Sequence, residues 1–249
     1  MSPSAQSAHE PREFASELKF LLDAATAADV QQWARKRLEP DPHAGGPHGD
    51  AYHVTSLYFD TPDFAVFHWR GWVRFSKFRI RRYGQSAIFL ERKLKVAGRV
   101  AKQRTVIPPA ALAFLDRPTD AAWEGRWFSQ KTAARRLLPV CQVDYQRSAR
   151  VLPTSTGSIR LTLDEAIQAT PITGYRFRET LGALPLSDRV VLELKFRRDL
   201  PNLFRELAAT FNLTPAVFSK YRAAIQRLGL MPACNRRTAC NEPPPCPIS

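Results

Sequence analysis

The chain has 249 residues, of which 44% are apolar, so it can bury one substantial core and need not contain a second domain. Lys and Arg number 37 against 23 Asp and Glu, and the net charge of +14 indicates a polyanionic partner: polyphosphate, acidic lipid or nucleic acid. No signal-peptide core and no run of about 18 apolar residues occurs, so we expect a cytoplasmic protein without a transmembrane segment.

The two ends of the chain differ in composition from its middle. Residues 1–12 are rich in Ser, Ala and Pro, and residues 231–249 are rich in Pro and Cys, so both segments are predicted to be disordered. The six-residue spacing of Cys234, Cys240 and Cys246 fits no zinc pattern, whereas Cys141 lies in an apolar run and is expected in the core. Residues 13–230 are therefore predicted to form one domain.

Strand-like runs, in which polar and apolar residues alternate, follow one another along this domain. They cover residues 14–22, 53–60, 75–83, 87–95, 99–107, 138–151, 158–164, 174–180 and 189–196. Short connections such as GQSA and AGR suit antiparallel hairpins. The pattern predicts an α+β fold built on an antiparallel sheet.

Helices are predicted between and after these strands. The first follows residue 22 with Thr26 as its N-cap, and two more are predicted in PPAALAFL and in SQKTAARRLL, the latter capped by Ser129. The clearest helical pattern is a C-terminal pair, PNLFRELAATFNL and TPAVFSKYRAAIQRLGL. Thr214 is the predicted cap of the last helix, and Gly229 follows its end.

One face of the predicted strands collects ionisable side chains, because residues two apart on a strand share a face. The sequence ELKF occurs at residues 17–20 and again at 193–196, and a third Glu-x-Lys pair lies at Glu91 and Lys93. A sheet with one solvated face explains any single strand. Taken together, the strands favour a closed β-barrel with helices packed outside it and a wet, mainly basic lumen.

Such a lumen suits a chain of phosphates, which Arg binds through bidentate forks and Lys through a point charge. The carboxylates among these cations suit Mg²⁺ or Mn²⁺, which take oxygen ligands and bridge phosphate oxygens. Cross-strand salt bridging is the other role for the Glu-x-Lys pairs, and we assign about half of them to it.

Several segments occur in a fixed order between about Glu17 and Leu228: ELKF, SLYFDTPD, FRIRRYG, FLERKLK, YQRSAR, IRLTLDEAI, VVLELKF and FSKYRAAIQRL. In this order they resemble the vacuolar transporter chaperone (VTC) domain of polyphosphate polymerases, part of the triphosphate tunnel metalloenzyme (CYTH-like) superfamily. The resemblance implies an antiparallel tunnel of about eight strands. It also implies metal-dependent transfer of the γ-phosphate of ATP to a growing inorganic polyphosphate chain.

The resemblance also implies roles for individual residues. The implied catalytic residues are Lys19, Arg79, Arg81, Lys93 and Lys195. The implied phosphate ligands are Lys102, Arg147, Arg160 and, on a helix that closes over the tunnel, Ser219 and Lys220. We add Arg104, which shares a strand face with Lys102. Glu193 matches the metal-binding glutamate of the family, and Glu17 is a second candidate ligand for Mn²⁺ or Mg²⁺.

ATP and inorganic polyphosphate are the expected partners, and no binding of nucleic acid is expected from the resemblance. Eukaryotic members of the family also carry a phosphate-sensing domain and membrane helices, for which this sequence has no room, so a separate membrane-protein partner stays open. Two other functions stay open as well: a triphosphatase of the same fold, and a non-catalytic module that binds polyphosphate or RNA. A P-loop kinase is not expected, because no GxxxxGK[ST] run occurs.

Overall fold

The computed structural model describes residues 16–42, 44–45, 49–84, 87–96, 99–116, 122–155, 157–178 and 183–231. The N-terminal segment and the tail with Cys234, Cys240 and Cys246 lie outside these residues, so the disorder predicted for them is not tested. Within the described part of the chain, no helix has both the length and the apolar character needed to cross a membrane.

One antiparallel sheet forms the centre of the fold. Its strands are β1 (Ser16–Leu22), β2 (Glu39–Pro40), β3 (Ala51–Asp60), β4 (Ser76–Tyr83), β5 (Ala87–Val96), β6 (Arg99–Ile107), β7 (Leu138–Leu152), β8 (Ile159–Pro171), β9 (Leu184–Pro185) and β10 (Val190–Phe196). The hydrogen-bonded order is β1-β10-β8-β7-β3-β4-β5-β6, and the short strands β2 and β9 pair with β7 and β8. The predicted α+β class and eight of the predicted strands are confirmed.

The strand predicted over residues 174–180 is wrong where it can be checked: residues 174–178 form an irregular connection. Gly174 has φ +79°, a left-handed conformation that interrupts an extended chain. The side chain of Gln142 holds this connection, accepting from the backbone N–H of Arg178 and donating to its carbonyl, both at 2.8 Å. The alternation in GYRFRET has another cause, since Tyr175 and Phe177 pack against the core.

The helices are α1 (Ala24–Arg35), α2 (Arg126–Ala133), α3 (Asn202–Thr210) and α4 (Lys220–Arg227), with 3₁₀ turns at Trp72–Phe75 and Pro109–Leu115. Two predicted N-caps are wrong. Asp23 caps α1, because its carboxylate reaches both the backbone N–H (2.8 Å) and the hydroxyl (3.1 Å) of Thr26. Helix α2 starts three residues before Ser129, whose side chain is buried within it.

The last helix also begins later than predicted. Ser219 caps α4 by accepting from the backbone N–H of Arg222 at 3.4 Å, and Thr214 is not its cap. The chain before α4 stays extended because the N–H of Ala216 donates to the carbonyl of Lys19 on β1 at 2.7 Å. Gly229, with φ +61°, follows the end of α4 as predicted.

Two apolar clusters stabilise the sheet, each fully buried side chain contributing about 1.5–3 kcal/mol. Helices α1 and α3 cover β1, β8 and β10, with Val30 and Phe204 fully buried there. Phe128 of α2 packs against β3 and β4 in the other cluster, which also contains Cys141, the predicted core cysteine, and Ala224 of α4. The predicted C-terminal helix pair is therefore divided between two cores.

The sheet is strongly curved. In the hydrogen-bonded order β1 and β5 are six strand spacings apart, which would separate them by about 29 Å in a flat sheet. Nevertheless, Glu17 Oε2 on β1 lies 3.8 Å from Lys93 Nζ on β5. The two ends of the sheet thus face each other across a concave side. Among the described residues the hydrogen-bonded order ends at β1 and β6, and full closure of the barrel stays a prediction.

Candidate functional site

The strand register places the predicted site residues side by side on the concave side, here called the ionic face. At one end of the sheet, Lys19 lies opposite Glu193, and Lys195 lies between Glu17 and Arg160. At the other end, two rows cross strands β4, β5 and β6. The first row is Arg79, Glu91 and Arg104, and the second is Lys77, Lys93 and Lys102.

Glu193 is the centre of the first ionic group, which we call the Glu193 cluster. Its Oε2 lies 2.5 Å from Lys195 Nζ and 3.7 Å from Arg147 Nη2. Its Oε1 lies 3.4 Å from Lys220 Nζ and 3.5 Å from Lys19 Nζ. Four cations from three strands and a helix therefore converge on one carboxylate whose side chain is 9% exposed.

Asp164 fixes two of these cations. Its carboxylate, which is fully buried, accepts both Nε (2.6 Å) and Nη2 (2.7 Å) of Arg147 in a bidentate pair. Lys220 Nζ lies 2.5 Å from Asp164 Oδ2, the oxygen that also accepts from Arg147 Nη2. The ion pair of Lys220 with Asp164 links α4 to β8, and it places the Lys220 side chain at the ionic face.

Glu91 is the centre of the second group, the Glu91 cluster. Arg79 Nε donates to its Oε2 at 2.5 Å, while Lys102 Nζ and Arg104 Nε lie 3.5 and 3.4 Å from its Oε1. The Glu91 side chain is 3% exposed, but that of Lys102 is 46% exposed. The buried carboxylate therefore holds the guanidinium groups of Arg79 and Arg104 in place, whereas the Lys102 side chain is partly exposed to solvent.

The remaining residues connect or border these clusters. Glu17 binds Lys19 at 3.1 Å and Lys93 at 3.8 Å, and so bridges the two ends of the sheet. Arg81 is buried between the clusters and donates to Ser56 Oγ at 3.0 Å. Arg147 and Lys220 both lie close to the Tyr145 ring, at 5.3 and 4.9 Å from its centroid.

Two predicted phosphate ligands have other contacts. Arg160 lies on the ionic face, but its Nη2 is 2.9 Å from both Asp41 Oδ2 and the hydroxyl of Tyr52. The Ser219 hydroxyl accepts the capping hydrogen bond of α4. Both residues border the clusters described above, and their role in phosphate binding stays a prediction.

The ionisation of the site follows from burial opposed by neighbouring charges. Burial alone would raise the pKa of Glu193, but Lys195, Lys220 and Lys19 hold it well below its ordinary value. Burial lowers the pKa of Lys195 to about 8, despite the opposing effect of Glu193. The pKa of Lys220 is raised, because Asp164 and Glu193 outweigh its burial. At neutral pH the carboxylate is therefore an anion and both amines are mainly cations.

The donor set fits the divalent metal that the resemblance implies. Glu17 and Glu193 both offer carboxylate oxygens, and they already share one cation, since Lys19 Nζ lies 3.1 Å from Glu17 Oε1 and 3.5 Å from Glu193 Oε1. Among the described residues, no three His, Cys, Asp or Glu side chains form a metal-binding group. Mg²⁺ commonly takes only one or two carboxylates and completes its shell with water and substrate phosphates. These residues suit that mode of binding.

Sequence reasoning missed two contributors to this site. Lys77 precedes Arg79 by two residues and shares its face, so the alternation that identified Arg79 and Arg81 would have identified it as well. The alternation places Asp164 on the same strand face as Arg160, but it assigns no partner to Asp164. Its bidentate contact with Arg147 depends on the β7–β8 register, which no local pattern contains.

The chain is similar to known proteins in its family and in its fold. The family model of the VTC domain matches residues 14–229. No curated protein matches the sequence. The crystal structure of a "putative adenylate cyclase" from Bacillus halodurans is similar over 85% of this chain and 95% of that one, with 16% identity and a TM-score of 0.52, which supports the fold alone. The PH1819 protein from Pyrococcus horikoshii OT3 is similar over 86% and 98%, with 12% identity and a TM-score of 0.41.

Proposed function

The chain belongs to the VTC domain family, and from that premise we propose that it is a metal-dependent polyphosphate polymerase. It would transfer the γ-phosphate of ATP to the end of an inorganic polyphosphate chain. The observation that carries this proposal is the ionic face itself, where cations from β1, β10, β7, β4, β5, β6 and α4 converge. Their number exceeds that of the carboxylates that orient them.

The excess of cations supports a highly charged substrate. Cations placed opposite one another, as Lys93 and Lys102 are, repel and destabilise the sheet. Such an arrangement is tolerated when the ligand supplies the missing negative charge. ATP and polyphosphate both do so, and both present oxygens spaced along a flexible chain.

The transfer step needs no general base. A terminal oxygen of the polyphosphate chain forms a bond to the γ-phosphorus of ATP, the bond from this phosphorus to the β–γ bridging oxygen breaks, and ADP leaves with the electron pair. The attacking oxygen is already ionised, so no proton has to move. What the protein must supply is alignment and neutralisation of two polyanions.

The side chains of the two clusters suit these tasks. Arg79, Arg81 and Lys19 would neutralise the charge of the reacting phosphates, since they lie on facing parts of the curved sheet. Glu91 orients Arg79, and Asp164 orients Arg147, so that each guanidinium is fixed before substrate arrives. Lys220 covers the site from α4 and would exclude water.

Glu193 and Glu17 are the residues that would hold Mn²⁺ or Mg²⁺. When bound there, the metal would offset the negative charge that the reacting phosphates bring together. Until then, Lys19 and Lys195 hold the two carboxylates in place, through contacts of 3.1 Å from Lys19 to Glu17 and 2.5 Å from Lys195 to Glu193.

The experiment is to incubate the purified chain with ATP and Mn²⁺ and to follow both ADP release and polyphosphate on a stained gel. The polymerase predicts ADP in equal amount to phosphate units in long chains. Orthophosphate without chains would replace the proposal by the triphosphatase. Polyphosphate binding without ATP turnover would replace it by the non-catalytic module.

A pair of variants tests the residues. Glu193→Gln removes the central anion and should lower metal-dependent turnover by at least about 100-fold, as removal of a charge-stabilising group does in other enzymes. Glu165→Gln, a neutralisation on the exposed side of β8, is the matched control and should retain activity. Full activity of Glu193→Gln would contradict its assignment. Circular dichroism of both variants separates loss of activity from loss of fold.

A further inference from the structure

Lys77 occupies a position on the ionic face that none of the roles above explains. It lies on β4, two residues before Arg79, so the two side chains share a face at about 7 Å along the strand. In the register it is opposite Lys93, which is opposite Lys102 on the next strand. Three lysines thus stand in one row across β4, β5 and β6.

The charges that repel Lys77 lie on β1, β5, α4 and β4 itself. Lys19 on β1, Lys93 on β5, Arg222 on α4 and Arg79 on β4 all repel it. Its Nζ lies 5.7 Å from the centroid of the Trp69 ring. Over the residues that the structure describes, no carboxylate forms an ion pair with Lys77, whereas Lys19 pairs with both Glu17 and Glu193, and Lys93 pairs with Glu17.

This position is energetically unusual. An amine that is partly buried among cations stays charged only at a cost in free energy. Burial, together with these neighbouring cations, therefore lowers the pKa of Lys77 to about 8. In the neighbouring clusters the carboxylates of Glu91 and Glu193 offset part of this cost. A ligand that brings negative charge would do the same for Lys77.

We propose that Lys77, together with Lys19, Lys93 and Arg222, forms a phosphate subsite at the α4 end of the ionic face that binds an inorganic polyphosphate chain. The inference rests on the proposed function for its ligand class and adds a substrate-contacting residue to it. The subsite extends the cations along β4, from Arg81 through Arg79 to Lys77, over about 14 Å. An extended array of this kind favours a long phosphate chain over a single phosphate.

The experiment measures equilibrium binding of a long inorganic polyphosphate, without ATP, to the purified full chain by isothermal titration calorimetry at pH 7. Lys77→Gln should weaken binding roughly tenfold or more, which is the effect of one charge-assisted contact. Lys77→Arg keeps the charge and should stay within about threefold of wild type. Lys131→Gln is the matched control, because Lys131 lies on α2, bonded to Gln103, and should leave binding unchanged.

A pH series separates substrate contact from a structural role. Between pH 7 and pH 9 the wild-type chain loses the charge of Lys77, so its affinity should fall more than that of Lys77→Arg. Lys195 also has a pKa near 8, but it is present in both proteins, and the difference between them isolates Lys77. In the absence of polyphosphate, Lys77→Gln should melt at the wild-type temperature or above, because it relieves repulsion.

The outcomes for this inference and for the proposed function are distinct. Unchanged polyphosphate affinity in Lys77→Gln would overturn the subsite while leaving the polymerase untouched. A Lys77-dependent affinity in a chain that makes no polyphosphate would support the subsite and overturn the polymerase. No polyphosphate binding by the wild-type chain would overturn both.

Discussion

Asp164→Asn is the substitution whose effect the structure defines most sharply. The Asp164 carboxylate is fully buried and holds Arg147 through two hydrogen bonds and Lys220 through one ion pair. Asparagine has nearly the same shape but no charge, so it removes one of the two carboxylates that neutralise these buried cations. Because Lys220 belongs to α4, the helix would lose one of its polar contacts with the sheet.

The magnitude follows from the burial of the group. Removing one member of a buried ion pair typically costs about 3–5 kcal/mol, since the other charges remain desolvated. For a domain of this size, each kcal/mol shifts the melting temperature by about 2–4 °C, so the expected decrease is about 6–20 °C. Glu193 remains near both cations and keeps the loss from exceeding this range.

Thermal unfolding followed by circular dichroism measures this loss, and Glu165→Gln on the same strand is the control, with an expected change below about 0.5 kcal/mol. The folded state lowers the pKa of Asp164, so its contribution is present above the ordinary value of 3.8 and is lost as the pH falls through the folded value. The difference between wild type and variant should therefore shrink in acid. Equal melting temperatures at pH 7 would refute the reasoning.

Three further substitutions test the fold around the site. Tyr221→Phe removes the hydroxyl that donates a hydrogen bond to the buried Asp60 carboxylate. It should lower the free energy of unfolding, measured in urea, by about 1–3 kcal/mol. An unchanged midpoint of urea unfolding would contradict this. Glu91→Gln leaves the surrounding cations without their carboxylate. The folded state lowers the pKa of Glu91, so protonation of this group destabilises the wild type as the pH falls below 4.5. The variant should lack this part of the acid-induced destabilisation. Identical pH profiles of melting temperature would exclude that contribution. Gly157→Ala places a methyl group 2.7 Å from Arg197 Cδ at φ +119° and should destabilise by about 1–3 kcal/mol, whereas a variant as stable as wild type would show that the loop relaxes.

The sequence predicted the strands and the ionic face because alternation is a local property. Arg79 and Arg81 could be assigned to one face of their strand, and Glu91 and Lys93 to one face of theirs, without knowledge of any other strand. Their partners could not be assigned, because the contact of Glu91 with Arg104 depends on the β5–β6 register. Glu17 meets Lys93 only because the whole sheet curves.

Two of the wrong predictions, the Thr214 cap and the strand over residues 174–180, share a physical cause, namely competition from tertiary contacts. Thr214 is a good capping residue, but the hydrogen bond from Ala216 to Lys19 keeps that segment extended along β1. GYRFRET alternates as a strand does, yet its aromatic residues fill the core, and the hydrogen bonds of Gln142 satisfy the backbone of Arg178. Neither competing partner is adjacent in sequence.

The pairing of β1 with β10 has a consequence for the order in which the protein is made. The first strand ends at Leu22, and the strand that pairs with it begins at Val190, so a ribosome adding about 5–20 residues per second needs roughly 10–30 s to supply the partner. During that interval the edge of the nascent sheet is open to association with other chains. The residues around Glu193 can assemble only after nearly all of the domain has been translated, so we expect the nascent chain to depend on cellular factors that shield such edges.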